Sequence, residues 1–124
     1  MINAATYRIV IENPKGSYKS FEIEGDPVWK SYPLVGVTYP VDYGFIQGYQ
    51  GEDGAELDVF VGTGDKNGAL TIWRLDVPVE TKFFMGLTDE ELGAVLMVFK
   101  PVLLTASVYD DDRFMRELEV FKRA

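Results

Sequence analysis

One acidic residue interrupts an otherwise apolar strand. The segment Glu56 to Val61 reads Glu, Leu, Asp, Val, Phe, Val. On a strand, alternate side chains share a face, so Leu57, Val59 and Val61 point one way and Glu56, Asp58 and Phe60 the other. The first set is core. The second carries a charge, which is costly there unless it is paired or bound to a metal. An isolated Asp at such a place caps a turn or meets a lysine. The alternative for Asp58 is a metal, and its neighbours bear on the choice.

Asp58 ends a longer organised stretch. Tyr39-Pro40-Val41-Asp42-Tyr43-Gly44 forms an aromatic turn, Gly48 to Ala55 a flexible acidic loop, and Asp53, Glu56 and Asp58 crowd the loop and the strand start. Hard carboxylate oxygens gathered by a glycine loop suit a hard divalent cation such as Mg2+. Composition narrows the chemistry further. The chain has no histidine and no cysteine, which excludes imidazole-bound zinc, Ser-His or Cys-His catalysis, and disulfides. Any metal must be held by oxygen. A net charge of −8 argues against nucleic acid as a partner, because nonspecific binding needs a basic surface. An anionic substrate would need bridging metals and a local lysine cluster. No run approaches the ~20 apolar residues of a membrane span, and the start of the chain lacks the pattern of a secretory signal. A cytoplasmic protein with no membrane partner is expected. At 124 residues the chain suits a single domain, 1–124, large enough to bury one core.

Taken in order, Tyr7 to Ile11 reads as a strand, Asn13-Pro14-Lys15-Gly16 as a turn, and Tyr18 to Glu24 as a second strand forming a hairpin with the first. Glu12 and Glu22 would then lie near each other, either facing water or with a cation between them. Val28-Trp29-Lys30 suggests a short strand, and Gly36 within Leu34 to Thr38 a bulge or close backbone approach. Thr63 to Gly68 is a hairpin signal. Ala69 to Val77 reads as a long strand with Leu70, Ile72 and Arg74 on one parity, and Thr81 to Met85 as another. Thr88 and Glu91 form a capping box ahead of a helix with Leu92, Val95, Leu96 and Phe99 along one face, stopped by Pro101. Val102 to Tyr109 reads as a return strand. The aspartates 110–112 fit the start of a last helix, where the dipole and capping favour acids, better than a metal site. Strands first and helices last predict an α+β, mainly β, fold: a small barrel with two C-terminal helices packed at one side.

The stretches YPVDYGFI and EDGAELDVFVG, with IENPKGSYKSFEIE upstream, resemble the signature of the soluble inorganic pyrophosphatase family. The likeness covers roughly residues 7 to 87. It is closer to the short phage-associated pyrophosphatase-like proteins, which share the PKGS opening, a Trp-Lys pair, the DYG turn and a Glu-x-Lys strand. The resemblance implies an OB-like five-stranded barrel and Mg2+-dependent hydrolysis of pyrophosphate or another phosphoanhydride. It implies metal ligands at Glu12, Glu22, Asp53, Asp58 and Glu80. Lys15, Lys30, Lys82 and Tyr43 would bind substrate, with Asp53, Asp58, Tyr43 and Lys82 as the catalytic set. A homo-oligomer is also consistent with it, since family members form hexamers or dimers.

Four departures accompany the likeness. The middle acid of the family's Asp-Gly-Asp-x-x-Asp motif is Ala55. The acidic loop before the Glu80-x-Lys82 strand is missing. Ser20 replaces a lysine, with Lys30 as a replacement for a nearby arginine. The C-terminal tyrosine-lysine pair has no counterpart. Two readings follow: a reduced pyrophosphatase, and a catalytically impaired binding or interaction module.

Overall fold

In the computed structural model, the structure describes residues 6–20, 34, 36–74 and 77–123. The element order is β1 (Ile9–Asn13), β2 (Tyr18–Ser20), β3 (Gly36–Thr38), β4 (Asp42–Gln50), β5 (Glu56–Val61), β6 (Lys66–Ile72), β7 (Glu80–Leu87), α1 (Asp89–Phe99), β8 (Leu103–Tyr109) and α2 (Asp111–Glu119). Six strands form one sheet in the order β1-β4-β5-β7-β6-β8, and β2 pairs with β3 in a small second sheet. The pairing is antiparallel except between β5 and β7. Mainly β with two late helices is what the patterning predicts. Among the described residues this sheet is not closed into the OB-like five-stranded barrel that the resemblance implies; β1 and β8 are its edges.

Both faces of the sheet are apolar. Tyr43, Phe60, Leu70, Ile72 and Phe84 pack with Val95 and Phe99 of α1. Ile46, Leu57, Val59, Phe83 and Met85 pack with Phe114 and Leu118 of α2. The helices therefore cover opposite faces, not one side as predicted. Phe60, assigned with Asp58 to the charged face, is fully buried. That face is half core and half charge. α1 begins as the capping box predicts: the Thr88 hydroxyl accepts from the Glu91 N–H and the Glu91 carboxylate from the Thr88 N–H. Asp110 accepts from the Arg113 N–H, so this aspartate is a helix cap. No helix among the described residues is long and apolar enough to cross a membrane.

Two predicted hairpins do not form. β1 pairs with β4 and β2 with β3, so β1 and β2 are not partners. The intervening turn has other partners: Gly16 N–H donates to Tyr39 O at 2.7 Å, and Tyr39 N–H to Ser17 O at 2.9 Å. Gly16 sits at φ 89°, a region glycine enters freely. Likewise β5 and β6 do not pair across residues 63–68; β7 lies between them. The connecting loop is held instead at the start of α1, where Glu91 accepts from both the Thr63 N–H and hydroxyl. The long strand predicted to Val77 ends at Ile72.

Gly44 fixes how closely β1 and β4 approach. A Cβ there would lie 1.8 Å from the Val10 carbonyl oxygen, so the backbone leaves no room for a side chain. Gly44→Ala should destabilise the fold by about 3 kcal/mol, the scale of an overpacked interior site. Denaturant unfolding measures this; a loss under about 0.5 kcal/mol would contradict the close approach.

Candidate active site

The site is assembled by strand register. In the parallel β5–β7 pair Val59 lies opposite Phe83, which sets Asp58 beside Lys82 one position back. In the antiparallel β4–β5 pair Tyr43 lies opposite Phe60, two positions from Asp58. Glu80 and Lys82 are spaced by two on β7 and share a face. Tyr43, Asp58, Glu80 and Lys82 thus converge on the α1 side of the sheet.

Lys82 is the centre. Its Nζ donates to the Tyr43 hydroxyl at 2.5 Å, to Asp58 Oδ2 at 2.8 Å and to Glu80 Oε1 at 3.2 Å. An ammonium has three donors, and all three are used. The ammonium also lies 5.0 Å from the Tyr43 ring centroid and 6.0 Å from that of Phe99, within cation–π reach. Lys82 and Glu80 are both buried, at 6% and 4% exposure. Their ion pair is therefore not the exposed cross-strand bridge that Glu-x-Lys spacing also allows.

Titration follows from these contacts. Burial pulls the Lys82 pKa down, but Asp58 and Glu80 outweigh it and leave the ammonium above its ordinary value. Burial pushes Asp58 up, and Lys82, with the Tyr43 hydroxyl donating to it, brings it below its ordinary value. Glu80 goes the other way. Burial raises it, and a hydrogen bond with Asp58 adds to the rise despite Lys82 and Arg74. Two adjacent carboxyls are thus shifted in opposite directions. Burial raises Tyr43 well above the usual phenol value, with the nearby Asp58 charge adding to it. Tyr39, stacked on Tyr43 at 4.6 Å, is pushed by burial to about 12.

The remaining predicted residues divide. Asp53 lies in the acidic loop; its Oδ1 accepts from the Ala55 N–H at 3.0 Å, a local turn bond, and its Oδ2 meets Arg74 Nη1 at 3.3 Å. Arg74 Nη1 also donates to Glu80 Oε2 at 2.8 Å, so it ties the loop to the buried cluster. Lys15 is exposed in the PKGS turn, and its backbone N–H donates to Asp42 Oδ1 at 2.9 Å. Glu12 is exposed at a bulge in β1, where the register slips between Ile11 and Asn13, and its charge reaches Tyr39. Glu22 and Lys30 lie outside the described residues.

Two participants carried no predicted role. Arg74 sits two residues past Ile72, whose strand partner is Glu80. Its parity with Leu70 and Ile72 was the available signal, but it needs the β6–β7 pairing to become informative. Glu52 accepts from both the Thr81 N–H at 3.0 Å and the Thr81 hydroxyl at 2.6 Å, fastening the acidic loop to β7. No sequence pattern marked it.

The donor set is chemically right for Mg2+, being all carboxylate oxygen. As placed, it does not fit. Among the described residues no group of three acidic side chains could hold a metal ion. Asp53 and Glu80 are joined by Arg74, and Asp58 and Glu80 by Lys82.

Fold and site together define a helix-flanked β-sheet protein with a buried lysine–carboxylate cluster fed by two docked turns. The family model Inorganic Pyrophosphatase matches residues 1–94, and the chain belongs to that family. It is 40% identical over 58 residues to the inorganic pyrophosphatase of Leifsonia xyli subsp. xyli, covering 44% of this chain and 36% of that protein. It is 39% identical over 56 residues to that of Corynebacterium efficiens, covering 43% of this chain and 35% of the relative. The match therefore spans little more than a third of these relatives' length. No solved structure matches the chain.

Alkaline titration tests the cluster. Tyr39, Tyr43 and Lys82 all have raised folded-state values. Each therefore contributes stability that is present below its unfolded value and lost as pH rises through its folded value. The thermal midpoint should fall steeply as pH climbs from 10.0 towards about 12, the window set by Tyr39. Tyr39→Phe should flatten part of that fall. A midpoint level across this range would contradict the buried arrangement.

Proposed function

We propose that the chain hydrolyses inorganic pyrophosphate, or a related phosphoanhydride, to phosphate. The observation that carries this reading is the meeting of the motif segments at one place. The PKGS turn docks on the aromatic turn, and Tyr43 of that turn meets Asp58 and Lys82 from β5 and β7. Family membership supports the same chemistry.

The chain's own residues divide the work. Lys82 supplies a fixed positive charge for a phosphate oxygen, and preorganised charge in a dry site is worth more than in water. Asp58, held below its ordinary value, stays ionised near neutral pH and accepts protons or hydrogen bonds. Tyr43, held protonated, donates to an oxyanion and does not act as a base. Lys15, exposed at the edge of the turn, meets incoming anion, with Lys30 as a second cation. Mg2+ belongs to this reading as the cation that accompanies an anionic substrate into a chain of net charge −8. The resemblance gives it ligands at Glu12, Glu22, Asp53, Asp58 and Glu80, of which Asp53, Asp58 and Glu80 are paired here with Arg74 and Lys82. Ala55 stands where the family places an acid, so the site is reduced and slow turnover is expected.

A second reading rests on one observation: the carboxylates of the buried cluster are already paired with the chain's own cations. A binding module needs no more than that. Phosphate release from pyrophosphate with Mg2+ separates the two. The native chain should release phosphate, and Asp58→Asn should lower the rate by about a hundred- to ten-thousand-fold, the usual loss for one acid–base group. A folded native chain that releases none would remove the hydrolase reading and leave the module.

A further inference from the structure

The two edges of the main sheet are not alike. β1 is short, carries Glu12 and slips register between Ile11 and Asn13; a charge and a bulge are usual protections of an edge strand. β8 runs from Leu103 to Tyr109 as Leu, Leu, Thr, Ala, Ser, Val, Tyr, with no charge, proline or glycine. Among the described residues it pairs with β6 alone. Its register against β6 slips at Leu104 and is regular from Thr105 to Tyr109. Residues 104–108 are exposed, Leu104 and Val108 at 52% each. The outer side of such a strand offers a row of N–H and C=O groups to another strand.

The strand is also complementary to itself. Ala106 lies opposite Leu70, which packs on the α1 face, and Ser107 opposite Ala69, which packs on the α2 face. Ala106 and Val108 therefore stand on the α1 side, and Thr105, Ser107 and Tyr109 on the α2 side. The first side is apolar, and every residue on the second carries a hydroxyl. Antiparallel copies paired about Ser107 set Thr105 against the partner's Tyr109, Ala106 against the partner's Val108 and Ser107 against itself, like with like. Charge selects the direction. Lys100 precedes β8, and Asp110 and Asp112 follow it, all three exposed. Antiparallel copies bring each Lys100 towards the partner's aspartates; parallel copies would set acid on acid.

We propose that β8 is a dimerisation edge, where a second copy of this chain adds antiparallel and joins two six-stranded sheets into one. The pairing is two-fold and closes on itself. A ladder of this length lies at the small end of protein interfaces, below about 1,200 Å² in all, so the dimer is reversible and dissociates on dilution. The proposal stands apart from pyrophosphate chemistry, since β6 separates β8 from β7 and its Lys82.

Sedimentation of the native chain over a dilution series tests it, alongside Ser107→Lys, Lys100→Asp and the double variant Lys100→Asp/Asp112→Lys. The native mass should fall from twice 14.0 kDa to 14.0 kDa on dilution. Ser107→Lys sets two ammonium groups face to face and should stay at 14.0 kDa at every concentration, with an unchanged circular dichroism spectrum. Lys100→Asp, outside the sheet, should weaken dimerisation by about tenfold, and adding Asp112→Lys should recover most of the loss. This pair of variants decides the matter if Ser107→Lys does not fold. Crosslinking places the edge. The chain has no cysteine, so Ser107→Cys meets only its own copy, at a separation a disulfide spans. Val120→Cys, 77% exposed and off this edge, meets another copy only by collision and should crosslink at least about tenfold more slowly. A native chain of 14.0 kDa throughout, growth past two copies, a dimer indifferent to both Ser107→Lys and Lys100→Asp, or equal crosslinking of the two cysteine variants would each overturn the proposal.

Discussion

The buried ammonium of Lys82 is the constraint on which the rest of the site depends. Taking a charge out of water costs several kcal/mol even after the protein relaxes, about that much per ion. The cost is tolerable only if every donor finds a partner of the right sign, and Lys82 finds three, on β4, β5 and β7. This requirement ties three strands into one register. A slip of one residue in any of them would turn its polar side chain to the α2 face, into Leu57, Val59 and Phe83. Among the described residues no buried side-chain nitrogen or oxygen lacks a partner, as such a cluster demands.

The same constraint shapes what the site can do. A chain of net charge −8 repels anions at a distance, so an anionic substrate must find positive charge locally. Lys82 provides it within the fold, Lys15 at the docked turn and Arg74 beside Glu80. The pairing that makes Lys82 affordable also occupies Asp58 and Glu80, so the site is charged yet largely balanced before anything binds. That balance accommodates both a slow hydrolase and a binding module. Family membership weighs on the side of pyrophosphate chemistry, although the curated relatives are matched over little more than a third of their length, 36% and 35%.

Local features were legible in the sequence. The capping box at Thr88 and Glu91, the Asp110 cap and the shared face of Glu80 and Lys82 depend on neighbours within a few residues, and each reads correctly. Asp58 is paired with Lys82, where the resemblance implies a metal. What failed was long-range. The turn at residues 14–17 looks like a hairpin because its composition is that of a turn, but its hydrogen bonds go to Tyr39 and Asp42. Residues 63–68 look like a hairpin too, yet β7 inserts between the flanking strands and Glu91 holds the loop. Phe60 and Phe84 form a second apolar face that strand alternation around one charge conceals. Arg74 was visible as a residue and invisible as a ligand of Glu80, because its role exists only once β6 is laid against β7.

The most direct measurement is the titration of the Lys82 side chain by heteronuclear NMR, with the resonance assigned by comparison with Lys82→Met. A charged Lys82 at neutral pH, losing its proton only above the ordinary lysine value of 10.5, is what the three-partner cluster predicts. A Lys82 that titrates below that value would mean that burial outweighs Asp58 and Glu80, and the cluster would then not be the ion-paired centre described.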